Sequence, residues 1–379
     1  MAGPLSGLRI ISLGGLGPAP LASMLLADHG AEVIRIERKQ GTELSNSEPM
    51  RKDISRLMLR SQKLTILNLK NPDDVIKFRA LIKTAHGLID PYRPGSMESL
   101  GIGPDVLLAD NPRLVFSRMT GWGQTGPMAP YAGHDINYIA LSGALAAIGP
   151  AERPIPPLPL VGDMGGGGMF LAFSMTAALL HAQQTGQGQI IDCAMTEGAG
   201  LLMTAFYELY ATGDWNIDRD ANFLDGGAHF YTTYKTADDQ FVSIGPLEPQ
   251  FYALLLKKLV ITDSDFERQM DPDSWPKLKI KLAELFLTKT RDEWCELLEM
   301  TDVCFAPVLS MAEAPSHPHA KARGAFATVD GVVQPAPAPH YSTTPLASPR
   351  SPQYVEIDTL LATPSADPKP SNTVTRNNV

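Results

Sequence analysis

A histidine and an aspartate each stand where a helix should begin. His134 precedes the apolar run 136–148, and Asp163 precedes the glycine run 165–168. The start of a helix carries free N–H groups and the positive end of the helix dipole, and both stabilise negative charge. Two titratable side chains beside such donors could take a proton from a carbon atom and return one. The pair therefore indicates proton-transfer chemistry.

Each of these residues also has a simpler structural interpretation. A single histidine near a helix start is more often structural than catalytic. Asp163 alone is typical of a helix N-cap, and Asp135, directly before the run 136–148, fits that role even better. A glycine run commonly marks a loop or a close contact between helices, although it also exposes backbone to a ligand. The chemical interpretation therefore needs support from the surrounding sequence.

Composition describes an ordinary globular enzyme. The chain has 379 residues, of which 44% are hydrophobic and 19% charged, so it can bury a large core in two domains or one elaborated domain. A net charge of −9 argues against nucleic-acid binding, which needs clustered Lys and Arg. Cys193, Cys295 and Cys304 are an odd number without metal-type spacing, which favours reduced thiols over a disulfide scaffold.

Targeting signals are lacking from the sequence. The N-terminal residues have no charged-then-apolar leader pattern, and no apolar run reaches the length needed to span a membrane. The final residues, Thr-Arg-Asn-Asn-Val, do not match a peroxisomal address. We therefore expect a cytoplasmic protein without membrane contact.

Alternating strand and helix patterns predict a parallel sheet. Strands at 8–13 and 32–37 flank a helix at 21–29, which is a β–α–β opening. The glycines at 14, 15 and 17 lack the third glycine of a dinucleotide fingerprint, and Pro18 and Pro20 stiffen the turn, so a nicotinamide or flavin cofactor is disfavoured. The predicted fold class is α/β, with a large Rossmann-like parallel-sheet domain and a smaller α+β domain.

Changes in composition along the chain divide it into five parts. We predict a large domain at 1–195, a helix and linker at 196–227, a small domain at 228–325, a return segment at 326–360, and a disordered tail at 361–379. A hairpin at 228–246 and helices at 248–259, 275–287 and 290–300 are expected in the small domain.

Longer motifs resemble those of one protein family. They are Arg-Met-Thr-Gly-Trp-Gly-Gln-Thr-Gly-Pro at 118–127, Gly-His-Asp-Ile-Asn-Tyr at 133–138 and Gly-Asp-Met-Gly-Gly-Gly-Gly at 162–168. Together they resemble the family III CoA-transferase (CaiB/BaiF) superfamily, and within it the branch of the α-methylacyl-CoA racemases. Further motifs at 17–20, 92–95, 245–252 and 301–308 extend the resemblance over most of the chain.

This resemblance implies a racemase that interconverts (R)- and (S)-2-methylacyl-CoA thioesters through an enolate. His134 would act on the 2S face and Asp163 on the 2R face, while Glu248 would hydrogen-bond the histidine. N–H groups near Asp163 and the following glycines would receive the enolate oxygen. No cofactor or metal is implied, because coenzyme A enters as part of the substrate, and an interlocked homodimer is expected.

The resemblance also implies which residues bind substrate and coenzyme A. Arg38 would grip nucleotide phosphates, although Arg38 and Lys39 could equally be a solvated basic pair. Two sequence departures, Pro91 and Ser99, put the affinity for CoA in doubt. The full set of predicted binding residues is Arg38, Leu67, Asn68, Leu69, Lys70, Pro91, Tyr92, Arg93, Gly133, Asp135, Ile136, Asn137 and Tyr138.

Two other functions remain open at this point. A family III CoA-transferase would use Asp163 as a nucleophile and form a mixed anhydride. A second base such as His134 has no use in that reaction, and the Gly-His-Asp-Ile-Asn-Tyr motif is not found in the transferases, so the racemase is favoured. A catalytically idle acyl-CoA-binding protein is the remaining alternative. The sequence does not indicate acyl length or pathway.

Overall fold

The computed structural model describes residues 3–38 and 54–363. Its chain folds into two compact units. The first contains Met1–Tyr138, Pro159–Leu202 and Pro318–Val379, and the second contains Ile139–Leu158 and Met203–His317. The predicted helix and linker at 196–227 are therefore divided between the two units. The predicted tail begins inside a helix that ends at residue 362, and its part from 364 onward lies outside the described residues.

Within residues 3–38 and 54–363, twelve strands form three sheets. In chain order they are β1 Arg9–Leu13, β2 Glu32–Glu37, β3 Lys63–Ile66, β4 Gly87–Asp90, β5 Val115–Thr120, β6 Gln189–Ala194, β7 Thr232–Lys235, β8 Phe241–Ile244, β9 Phe305–Pro307, β10 Phe326–Val329, β11 Val332–Pro335 and β12 Gln353–Tyr354. The first unit holds a seven-stranded sheet and the β10–β11 pair, and the second holds β7, β8 and β9.

Fourteen α-helices accompany these strands within the described residues. They are α1 Pro18–Asp28, α2 Pro72–Ile82, α3 Ser96–Ser99, α4 Pro104–Asp110, α5 Asp135–Leu141, α6 Ala144–Ala147, α7 Phe170–Thr185, α8 Met195–Leu202, α9 Thr204–Thr212, α10 Pro249–Lys258, α11 Trp275–Phe286, α12 Arg291–Leu298, α13 Pro318–Arg323 and α14 Ile357–Ala362. A π-helix at Val161–Met169, here called the glycine helix, runs directly into α7.

The large sheet is parallel throughout and has the order β12-β3-β2-β1-β4-β5-β6. Side chains of β1 alternate between its two faces. Ile10 packs in a core cluster with residues of α1 and α7, whereas Ile11 and Leu13 pack in a second cluster with residues of α2 and α14. Both faces are therefore covered, as a parallel sheet requires. The predicted α/β fold class is confirmed.

The order of these strands places a topological switch point between β1 and β4. The chain moves outward from β1 through β2 to β3 and then returns to the other side of β1 with β4. Loops that follow β1 and β4 therefore diverge, and in open α/β sheets ligands bind at this switch point, beyond the carboxyl ends of the strands. The loop glycines Gly14 and Gly15 follow β1, and Pro91 follows β4.

The return segment closes the first unit from the far end of the chain. β12 pairs with β3 in parallel, with Gln353 opposite Lys63. The buried guanidinium of Arg60 donates to the carboxylate of Asp28 and, at 2.9 Å, to the side-chain oxygen of Gln334. Residues far apart in sequence thus complete one core.

Two predicted helices are shorter than expected. The run 136–148 contains two helices, α5 and α6, because Gly143 between them has φ of 85°. A φ in this range belongs to left-handed backbone and ends a helix. The helix predicted at the start of the segment 196–227 is likewise divided into α8 and α9 at Met203.

The stretch Leu158–Thr185 is long and apolar enough to cross a membrane by length and composition. This corrects the expectation that no apolar run reaches such a length. Leu171, Met175 and Leu179 of this stretch are at most 3% exposed and lie in the core cluster with α1. A core helix of a globular protein can be equally long and apolar, and the burial of these three side chains fits that interpretation.

The second unit is a small α+β fold. β7 and β8 pair antiparallel around a turn in which Asp239 has φ of 61°, so the predicted hairpin is confirmed. β9 pairs with β8 as a third strand that the sequence pattern did not indicate. Apolar side chains of α10, α11 and α12 pack with the sheet, and Phe230, Trp275 and Trp294 are among the most buried residues.

Glycines let three helices of the first unit approach closely. A Cβ built on Gly166 would lie 2.5 Å from the backbone nitrogen of Ala199 on α8, and one on Gly167 would lie 2.7 Å from Pro18 Cβ on α1. Protein atoms therefore occupy this side of the glycine helix. The run 165–168 is a close helix contact there rather than a surface for a ligand.

We predict that Gly198→Ala destabilises the first unit by about 3 kcal/mol or more, because overpacking of this severity cannot relax. The added Cβ would lie 1.9 Å from the backbone oxygen of Gly166. Thermal unfolding measured by calorimetry tests this. Ala109→Ser, which adds one atom at an exposed position of α4, should change stability by no more than about 0.5 kcal/mol. Equal melting temperatures for the two variants would contradict the predicted close packing.

Candidate active site

His134 lies in the turn that opens α5. Its backbone N–H donates to Oδ1 of Asn137 at 3.0 Å, and its carbonyl accepts from the backbone of Asn137 and Tyr138. This arrangement caps the helix and leaves the imidazole exposed, with no hydrogen bond to it from the described part of the chain. The ring is therefore available to a ligand.

Two aromatic rings hold this turn in place. The hydroxyl of Tyr138 donates to the carbonyl of Gly133, and the ring of Tyr138 meets that of Trp122 edge to face, with centroids 4.8 Å apart. A Cβ on Gly121 would lie 2.1 Å from the Tyr138 ring, and one on Gly133 would lie 2.7 Å from it. Sequence reasoning identified Tyr138 but missed Trp122 as its support.

Asp163 is the third residue of the glycine helix, whose N-cap is Leu160. The first N–H groups of a helix have no acceptor within the helix. Here the N–H of Asp163 donates to Oδ1 of Asp135 at 2.7 Å, and Asp135 is only 8% exposed. This bond occupies the N–H of Asp163 itself, and the expectation that N–H groups near Asp163 and the following glycines receive the enolate oxygen stays a prediction.

The carboxyl group of Asp163 lies beside Gly17, where a Cβ would come within 3.0 Å of its Oδ2. Burial first, and then the negative charge of Asp135, raise the pKa of Asp163 from 3.8 to about 6, while His134 opposes the rise. The hydrogen bond from Asp163 to Asp135 places Asp163 near the segment that carries His134, because His134 directly precedes Asp135 in the chain. The structure therefore brings the two residues predicted to transfer protons into the same part of the first unit.

The predicted CoA contacts Arg38 and Tyr92 also meet. Arg38 follows β2 and Tyr92 follows β4, and the guanidinium carbon lies 5.3 Å from the centroid of the tyrosine ring. Pro91 lies against the backbone of Gly15, since a Cβ there would be 2.6 Å from Pro91 Cγ. All four residues surround the switch point of the sheet.

The charge of Arg93, in the loop after β4, acts on Tyr138 in the first turns of α5. The guanidinium is exposed, and its positive charge opposes the rise in pKa that burial and the charge of Asp163 impose on Tyr138. The loop after β4 therefore lies within electrostatic reach of α5. Ser99, the other departure from the family pattern, is exposed and donates to the carbonyl of Ser96.

Sequence reasoning missed Asp90, the last residue of β4. It is 3% exposed and accepts the N–H of Tyr92 at 2.9 Å, which shapes the turn toward Arg93. Burial raises the pKa of Asp90 to about 6, while the Tyr92 N–H and the charge of Arg118 act in the opposite direction. An acidic residue at a strand end, directly before a Pro-Tyr-Arg-Pro-Gly turn, was the available signal.

The segment 67–70, whose four residues were all predicted to bind coenzyme A, has mixed exposure. Leu67 and Leu69 are 2% and 9% exposed and belong to the core. Asn68 and Lys70 are exposed, and Oδ1 of Asn68 accepts the N–H of Lys70 at 3.2 Å. The CoA role of the segment stays a prediction. Ile136 is 44% exposed next to His134.

Glu248 belongs to the second unit and is the N-cap residue of α10, where its side chain makes no capping bond. The side chain is exposed. Gln269 fixes the turn before it, since its amide donates to the carbonyls of Pro246 and Leu247 at 3.0 and 2.9 Å. The hydrogen bond predicted between Glu248 and His134 stays a prediction.

No group of three or more His, Cys, Asp or Glu side chains that could hold a metal is found in residues 3–38 and 54–363. All three cysteines are free thiols.

Comparison with known proteins agrees with this architecture. The sequence matches CoA-transferase family III over residues 5–356. Alpha-methylacyl-CoA racemase from Mus musculus is 43% identical over 344 residues, covering 90% of this chain and 87% of that protein. The Homo sapiens protein of the same name is 43% identical over 343 residues, also covering 90% and 87%. A crystal structure of a CaiB/BaiF family protein from Brucella suis superposes with a TM-score of 0.79 at 24% identity, covering 93% of this chain and 97% of that one. This last likeness supports the fold.

We predict that Asp163→Asn stabilises the protein at pH 7.5 but not at pH 4. The folded-state pKa of Asp163 is raised, so its protonated form favours folding and stability falls as pH rises from about 4 to about 6. Asparagine does not ionise and escapes this loss, which amounts to roughly 1–2 kcal/mol after solvent screening.

Calorimetric melting at both pH values measures the effect. Asp218→Asn removes a carboxylate from an exposed position and should show no comparable pH-dependent gain. If Asp163→Asn were equally or less stable than the wild type at pH 7.5, burial would not be raising the pKa of this carboxyl.

Proposed function

The chain belongs to CoA-transferase family III, and we propose that it is a racemase that interconverts (R)- and (S)-2-methylacyl-CoA thioesters. One observation carries this proposal. The bond from the Asp163 N–H to Asp135 joins the segment that carries a carboxyl group with a raised pKa to the segment that carries the exposed imidazole of His134. Inversion at one carbon needs two such groups, one to remove a proton and one to supply another.

Starting from the 2S thioester, neutral His134 takes the proton from C2. The electron pair of the C–H bond forms an enolate with the thioester carbonyl. Protonated Asp163 then gives its proton to the opposite face of C2, and the 2R thioester forms. The enzyme is left with imidazolium and carboxylate, which is the state required for the reverse reaction.

The raised pKa of Asp163 suits this double role. A carboxyl with a pKa of about 6 is present both as acid and as carboxylate near neutral pH, whereas an ordinary aspartate is almost wholly ionised. Burial is the main cause of the shift. The environment that disfavours the ionised carboxylate therefore also makes the carboxyl group a usable proton donor.

The coenzyme A part of the substrate would lie at the sheet edge. Arg38, Tyr92 and Arg93 follow β2 and β4 at the switch point, where two guanidinium groups can bind phosphate. Leu67 to Lys70 would flank the nucleotide, and Glu248 would orient the imidazole. Each reaction step is a proton transfer, so the proposal requires no cofactor or metal.

The test is deuterium uptake at C2. In D₂O, either enantiomer of a 2-methylacyl-CoA should gain deuterium at C2 and approach the racemic mixture. His134→Ala and Asp163→Ala should each lower the inversion rate by about 10²–10⁴-fold, because each removes one proton-transfer group. NMR and chiral analysis of the thioester follow both events.

The same experiment separates the transferase alternative. A CoA-transferase would form a covalent adduct on Asp163, visible by mass spectrometry, and pass CoA to an added carboxylate without deuterium uptake. That result would replace the racemase proposal. Thioester binding without exchange or transfer would identify an idle acyl-CoA-binding protein.

We further propose that the chain forms a homodimer and that the protein is located in the cytoplasm. The first unit exposes large apolar side chains at the end of the glycine helix and on α7, β6 and α8, namely Met169, Phe173, Leu180, Ile190, Leu201 and Leu202, each between 45% and 69% exposed. Such a face is typical of a surface that a second copy covers. Three free thiols fit a reducing compartment.

We expect that Phe173→Glu combined with Leu180→Glu converts the dimer to a monomer, since two charges would have to be buried. Sedimentation velocity at a fixed protein concentration measures the assembly state. Ile76→Glu, at a 66% exposed position of α2, is the control and should leave the dimer intact. A wild-type protein that sediments as a monomer would contradict the proposal directly.

A further inference from the structure

Asp135 makes an unusual contact for a residue that begins a helix. It lies in the first turn of α5, but its carboxylate accepts the N–H of Asp163, 28 positions further along the chain, at 2.7 Å. The contact supplies the acceptor that the start of the glycine helix lacks, because the side chain of Leu160 at the N-cap position offers none. A carboxylate at a helix start is also favoured by the helix dipole.

The glycine helix needs this external cap. Gly162 and the run 165–168 have no side chains to restrict the backbone, so the segment would sample many conformations when unsupported. Contacts with α1 and α8 hold its later residues through Gly166, Gly167 and Gly168. The first turn, which carries Asp163, is held at its amide by Asp135.

Few ionisable groups face the carboxyl group of Asp163. The α5 segment contributes Asp135, His134 and Tyr138. On the side of α1, the backbone of Gly17 lies against the Oδ2 of Asp163, and of the described residues Asp135 and His134 are the charged groups that shift the pKa of Asp163. The charge of Asp135 is therefore the main negative charge acting on this carboxyl.

We propose that Asp135 is a positioning residue of the reaction: its carboxylate caps the glycine helix from the neighbouring segment, holds Asp163 beside His134, and places a negative charge next to the second proton-transfer group. This inference rests on the proposed racemase function. It differs from the substrate-binding role implied for Asp135 by family resemblance, since the carboxyl is buried and already engaged.

Two variants separate the geometric part of this role from the electrostatic part. Asp135→Asn keeps an oxygen that can accept the Asp163 N–H but removes the charge. With the 2R thioester, from which the Asp163 carboxylate must take the proton, the acidic limb of the profile of kcat/KM against pH should move to lower pH by about 0.5–1 unit, because the proton on Asp163 loses the support of a nearby negative charge. The midpoint belongs to the His134–Asp163 pair together.

Asp135→Ala removes both charge and acceptor. It should lower kcat by about 10²-fold while KM changes less than about threefold, because a small displacement of a reacting group costs rate rather than binding. Asp105→Asn, at an exposed position of α4, removes a carboxylate elsewhere and should leave both the pH profile and kcat unchanged. A substrate-binding role would instead raise KM, and that outcome would overturn the proposal.

A measurement without substrate tests the cap formed by Asp135 independently of the proposed racemase activity. With selective ¹⁵N-aspartate labelling, the Asp163 amide should exchange with solvent at least tenfold faster in Asp135→Ala than in the wild type, with Asp135→Asn close to the wild type. Equal exchange in all three would disprove the cap even in an active enzyme. Faster exchange in a wild-type-like fold that lacks racemase activity would support the cap and reject the proposed function.

Discussion

The proposed chemistry depends on the hydrogen bond between the Asp163 amide and the Asp135 carboxylate. The chain leaves the first unit after Tyr138 and returns at Pro159, so no local structure can keep the two proton-transfer residues together. A charge-assisted bond of 2.7 Å joins the segment before this excursion to the segment after it. Its position makes the orientation of Asp163 independent of the conformation of the intervening chain.

Much of this fold is predictable because its signals are local. The strands of the large sheet are short apolar runs bounded by turns, and β1 with Ile10 and Ile11 facing opposite sides is buried on both faces. Long motifs then identified the family. His134 and Asp163 were predicted from their place before helical runs, and the structure brings them into one electrostatic environment.

Other features depend on contacts that no local pattern reveals. The glycine run reads equally as a ligand surface or a helix contact, and only the approach of α1 and α8 decides between them. The engagement of the Asp163 N–H by Asp135 and the burial of Asp90 at the sheet edge result from tertiary packing. A short strand such as β9, with three residues, carries too little periodicity for prediction.

The interleaving of the two units has a consequence for synthesis of the protein. A nascent chain that has just emerged through β6 has six of the seven strands of the large sheet but neither β12 nor Gln334, which lie beyond the second unit. Arg60 then lacks one of its partners, and the edge of β3 is unpaired. Domains normally fold in order as the ribosome releases them. In this protein the first unit cannot be completed until the second unit has been synthesised, because its last segment follows the second unit in the chain.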